Sequence, residues 1–105
     1  MGIAYKAEAR LELVEAARYY DFRQPGLGNE FLKEVDAALE ELSERPLRWR
    51  KVTGRFRRCL VRRFPYGIIY TTDRDNIQIF AFTHLHRKPG YWKHRDRPGR
   101  AEEDI

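Results

Sequence analysis

The apolar residues of this chain change period near Pro46, and that change constrains the fold more than any other feature. Up to that point they recur at helical spacing. Leu13, Ala17 and Tyr20 stand at four and then three residues apart, with Ala9 and Ala16 beside them. Phe31, Val35, Leu39 and Leu42 repeat in the same way, with Ala38 on the same side. Gln24-Pro25-Gly26 separates the two runs as a turn. Pro46 ends the second run, because the residue before a proline is pushed out of helical space. The polar residues Glu12, Glu15 and Arg18 fall on the outer side of the first run, and Glu30, Lys33, Glu34, Glu40 and Glu41 on the outer side of the second. Two amphipathic helices joined by a tight turn make a hairpin, and its apolar stripes need a second layer to cover them.

Beyond Pro46 the period falls to two, the signature of strands with one covered face. Residues 56–64 alternate loosely, and residues 66–72 and 77–83 are rich in β-branched and aromatic side chains. The polar turn at residues 73–76 joins the last two as a hairpin. Pro65 lies between the first two, at a connection or an edge, since proline cannot donate to a ladder. Residues 3–7 predict a short first strand. The reading is an α+β layer: a short N-terminal strand and a two-helix hairpin packed on one face of a mostly antiparallel sheet of three or four strands. With 105 residues the chain holds one core, expected over residues 1–95. Residues 96–105, which contain Pro98-Gly99 and a run of acids, read as a loose tail.

Several function classes drop away at this level. The single cysteine, Cys59, allows no internal disulfide and reads as a small core residue. That usage suits a reducing cytoplasm, and residues 1–10 carry no apolar run of the kind that opens a secretion signal. No stretch is apolar enough to span a bilayer, so no membrane partner is expected. Three histidines without a second cysteine, and without regular spacing to carboxylates, predict no metal site and no cofactor. The charge distribution is informative. Residues 1–46 carry six Lys/Arg against ten Asp/Glu, a net of −4, whereas residues 47–105 carry fifteen against six, a net of +9. A field this lopsided draws polyanions to one part of the molecule.

The basic half holds the candidate site. In residues 56–64, alternation puts Cys59 and Val61 on the helix-covered side and Arg58 and Arg62 on the other, with Lys51 and Arg55 just upstream. A row of guanidinium groups on an open face suits phosphates, which arginine grips bidentately. After the last strand, residues 84–95 interleave cations and aromatics: His84, Arg87, Lys88, Tyr91 and Trp92. Aromatics of this kind stack on unpaired bases while cations hold the backbone; the alternative is that Tyr91 and Trp92 pack the C-terminal segment onto the sheet. The nucleic-acid-binding set is therefore Lys51, Arg55, Arg58, Arg62, Arg87, Lys88 and Trp92.

In order and spacing these pieces resemble the RelE/ParE superfamily of type II toxins, the plasmid-stabilisation toxins. The resemblance runs over residues 3–95. It rests on Ala9 with Glu12-Leu13 and Tyr19-Tyr20; on Pro25-Gly26-Leu27-Gly28 with Phe31; and on Pro46, Arg57-Arg58 and Phe64-Pro65-Tyr66 with Ile68 and Tyr70. It closes on His84, Arg87, Pro89, Trp92 and Arg95. It implies a microbial-RNase-like sheet backed by two helices, and a growth-inhibiting toxin held by a cognate, usually acidic antitoxin in a hetero-oligomer. Members divide by target: ParE-like toxins poison DNA gyrase, and RelE-like toxins cut mRNA on the ribosome without a metal. For cleavage, the resemblance assigns Arg58, Arg62 and Arg87 to the phosphate and Tyr91 or His84 to proton transfer. Leu60 and Gly67 depart from the RelE pattern, standing where that pattern has a lysine and an arginine. A degenerate member that keeps only antitoxin binding is the third reading.

Overall fold

The computed structural model describes residues 2–96. The elements run β1 (Gly2–Tyr5), α1 (Ala7–Arg23), α2 (Leu27–Glu44), β2 (Lys51–Thr53), β3 (Phe56–Leu60), β4 (Tyr66–Asp73) and β5 (Asn76–His84), closing on a 3₁₀ turn at Lys93–Asp96. Two helices cover one face of a five-stranded sheet ordered β1-β5-β4-β3-β2. The sheet has more strands than the three or four expected, because β1 joins it parallel to β5, with Ile3 opposite Ile77 and Tyr5 opposite Ile79. The other neighbours are antiparallel. The loose tail expected over residues 96–105 lies outside the described residues, except that Asp96 closes the 3₁₀ turn.

The helical hairpin closes tightly for a local reason. A Cβ on Gly28 would lie 2.6 Å from the Ala17 carbonyl oxygen, so only glycine admits α2 this close to α1. Asp21 accepts hydrogen bonds from the backbone N–H groups of Gly26 (2.9 Å) and Gly28 (3.3 Å) and fixes the turn. The main core lies between hairpin and sheet. Phe31, Val35, Ala38 and Leu42 of α2 are buried against Cys59, Ile68, Tyr70 and Ile79. Leu39, grouped with them on periodicity, is only half-buried at the margin. Tyr20, Phe31, Phe64 and Tyr66 form an aromatic cluster at the hairpin end, with centroids 4.9–6.2 Å apart. Glycine at position 28 is thus what lets the Tyr20 and Phe31 rings meet across the hairpin.

A β-bulge divides β5. Tyr70 pairs with Ile79 and Ile69 with Ala81, so Phe80 has no partner on β4. An inserted residue reverses the facing of the strand beyond it. Ile77 and Ile79 join the main core and so does Phe82, while Phe80 and Ala81 turn to the opposite face. There they form a second small core with Phe56, Ile69 and Trp92.

The packing orders two substitutions on one helix. Leu42 is fully buried, and Leu42→Ala is expected to cost roughly 2–5 kcal/mol, while Leu39→Ala costs clearly less; chemical denaturation of both variants checks the order. The core also makes stability fall at alkaline pH. Burial pushes the Cys59 thiol from 9.0 up to about 12 and the Tyr66 phenol from 10.0 up to about 12. Both groups are raised, so the unfolded chain gives up these protons first. The stabilisation is complete below about pH 8 and is lost as pH rises towards about 12. Denaturant midpoints measured between those limits should fall steadily, and Cys59→Ala should flatten the earliest part of the fall.

Candidate functional site

The sheet face away from the helices was expected to be open. Residues 85–96 instead roof part of it. Trp92 is buried, its ring 4.8 Å from that of Phe56. Its ring packs into the second core, the alternative that the sequence left open, so little of it is left for stacking on a base. Beside this roof a cavity of about 300 Å³ remains, lined in part by Arg58, Ile69, Thr83, His84, Trp92 and Lys93. Arg58 is exposed on the strand face that bounds it. Gly67 decides how Arg58 lies: a Cβ there would come within 2.9 Å of Arg58 Cγ and Cδ. The departure from the RelE pattern at Gly67 is thus what lets the Arg58 stem cross β4.

Arg62 does not share that face. β3 ends at Leu60, and Arg63 in the following turn takes a left-handed backbone, φ 71°. Alternation stops there, and the turn carries Arg62 to α2, where it lies 3.6 Å from Glu41. Arg63 binds Glu30 at 2.8 Å. The expected row of guanidinium groups is therefore broken, with Arg58 on the sheet face and Arg62 against the acidic helix. Lys51 on β2, Arg55 in the β2–β3 turn and Lys88 after β5 are exposed.

The remaining candidates gather on a residue that the sequence placed on the solvent side. Glu12 of α1 is mostly buried, its side chain 12% exposed. Arg95 grips it with two 3.0 Å contacts, and the Tyr91 hydroxyl donates to it at 2.6 Å. The Phe82 N–H donates to it at 3.1 Å, and Arg87 stands 3.7 Å away. The Arg87 guanidinium lies 3.7 Å from the centre of the Tyr91 ring. Arg95 also donates to the Phe80 carbonyl at 2.9 Å. Burial raises the Tyr91 phenol above its ordinary value, and the hydrogen bond to Glu12 raises it further. Tyr91 thus stays protonated, with its hydrogen committed to a carboxylate.

His84 sits between the two regions. Its ring packs on Tyr66 at 5.3 Å, and its Nδ1 accepts from the His86 N–H at 3.1 Å. Of the five candidates for cleavage, Arg58 and His84 line one cavity, Arg87 and Tyr91 meet at Glu12, and Arg62 stands apart. Among the described residues no group of three or more potential metal ligands occurs, and no helix is long and apolar enough to cross a membrane. Glu12, Lys93 and Arg95 were missing from the expected site. Glu12 was detectable, since its spacing of three from Ala9 and four from Ala16 sets it on the shoulder of the buried stripe. Arg95 carried no signal beyond its place in the closing pattern, and Lys93 none.

A sequence profile described as the ParE toxin of type II toxin–antitoxin system, parDE, matches residues 3–89. Among solved structures the chain is similar to one described as the chromosomal ParDE TA system from P. aeruginosa. The TM-score is 0.72 at 13% identity, covering 82% of this chain and 97% of that one. That likeness concerns the fold. No curated protein matches.

The Glu12 cluster can be tested by removing its charges one at a time. Glu12→Ala leaves the Arg95 cation buried with no counter-charge, and is expected to cost about 3–5 kcal/mol. Adding Arg95→Met should restore part of that loss, because it removes the stranded charge. Thermal or denaturant unfolding of the single and double variants measures both effects. Equal stability of wild type and Glu12→Ala would show the cluster to be ornamental.

Proposed function

The chain belongs to the ParE toxin family of type II toxin–antitoxin systems, and from that premise we propose that it arrests growth by binding DNA gyrase, with a cognate antitoxin as its neutralising partner. The observation that carries the choice of target is the capture of Tyr91 and Arg87 by Glu12. Metal-independent RNA cleavage needs a group free to move a proton and a cation aimed at charge that develops on the phosphate. Here the phenol donates to a carboxylate, and the guanidinium stacks on the ring and faces the same carboxylate. A binding-only toxin needs none of these groups free. It needs exposed contact surface, which the outer side of α1 offers: Leu11 and Phe22 are 60% and 90% exposed.

The second reading, ribosome-dependent mRNA cleavage, is favoured by one observation, that Arg58 and His84 share a cavity. The third, a degenerate member that keeps only antitoxin binding, predicts no growth arrest at all. Expression without the antitoxin separates the three. Gyrase poisoning should yield cleaved DNA and lost supercoiling activity, with translation unaffected at early times. Tyr91→Phe, if folded, should remain toxic. Phased cuts in mRNA by primer extension, abolished by Arg58→Ala, would replace the gyrase reading with the nuclease one.

A further inference from the structure

We propose that the cavity between the sheet and the segment around residues 89–93 is a binding site for a phosphate monoester carried on a ring, the chemistry of a nucleoside monophosphate. Its charge is one-sided. Arg58 and Lys93 line it, no aspartate or glutamate does, and neither cation makes an ion pair among the described residues. Arg48, Arg62, Arg63, Arg87 and Arg95, by contrast, each meet a carboxylate. A phosphate monoester carries a charge of roughly −1.5 to −2 near neutral pH, which two cations match. A lone carboxylate would leave one of them uncompensated.

The geometry narrows the class further. Arginine presents a planar fork that binds phosphate oxygens in pairs, and its stem is laid across β4 by the absence of a Cβ on Gly67. His84 Nδ1 is occupied by the His86 N–H, so the neutral ring carries its proton on Nε2. The rest of the lining is amphipathic. Val52, Ile69 and Trp92 supply apolar wall, and Thr53 supplies a hydroxyl suited to the polar edge of a ring. About 300 Å³ lies at the small end of ligand sites, room for one nucleotide rather than a strand. The source is either a free nucleotide or the terminal phosphate of a nucleic-acid strand; both present the same group. The site is independent of the gyrase reading, because binding is measured on the isolated chain.

The test titrates 5′-AMP into the full chain and follows backbone amide shifts. AMP is expected to move the signals of Thr53, Gly90 and Lys93, while adenosine does not. Arg58→Gln should weaken AMP by about tenfold or more, the scale of one charge-assisted contact, and Lys93→Gln by several-fold. Gly67→Ala keeps every charge but displaces Arg58, and should weaken AMP as well. If that variant fails to fold, the two exposed-residue variants carry the test alone. A 5′-phosphorylated oligonucleotide that binds at the same residues more tightly than AMP assigns the site to strand ends, and one that binds no better assigns it to free nucleotide. No shifts with millimolar AMP, affinity unchanged in Arg58→Gln, or equal binding by an oligonucleotide with a 5′-hydroxyl would overturn the proposal.

Discussion

The pair formed by Glu12 and Arg95 holds the two faces of the sheet together. β1 ends at Tyr5 because the chain turns into α1, and the Lys6 N–H makes the last backbone bond to β5, at Ile79. The next backbone groups along β5 are met by side chains: Glu12 accepts from the Phe82 N–H, and Arg95 donates to the Phe80 carbonyl. Buried backbone groups without partners are costly, so a strand bulged at Phe80 needs this arrangement or an equivalent one. Glu12 comes from the helical layer and Arg95 from the segment over the far face. Their two contacts therefore clasp the sheet around its edge.

That clasp decides which residues are usable for function. With Arg95 anchored, Trp92 is drawn onto Phe56 and roofs one end of the far face. Tyr91 is brought under Arg87, and both are turned towards Glu12. The residues that looked most like a reactive set by composition are thereby divided between structure and surface. Beside that roof the far face keeps a cavity lined in part by Arg58 and Lys93.

The charge split of the chain acquires a spatial meaning through the same packing. The acidic residues of α2 do not form a bare negative face. Glu30, Glu34 and Glu41 meet Arg62 and Arg63 from the turn after β3. These are exposed pairs and contribute little to stability. Their effect is to set two arginines of the basic half against carboxylates of the acidic half.

Helix periods, the Pro25-Gly26 turn, the stop at Pro46 and the three C-terminal strands were all legible in the sequence, because each is a local pattern with a local cause. Cys59 as a core residue was legible for the same reason. The facing of Arg62, the bulge at Phe80 and the ion pair that buries Glu12 were not; spacing set Glu12 only on the shoulder of the buried stripe. Each depends on a partner distant along the chain or on one inserted residue that no alternation rule marks: Glu41 for Arg62, Ile69 and Tyr70 for the bulge, Arg95 for Glu12. Local spacing determined which residues form helices and strands and which stripes are apolar. Only tertiary structure decided which cations are consumed by carboxylates and which remain open to a ligand, because charge pairing is set by distance in space and not along the chain.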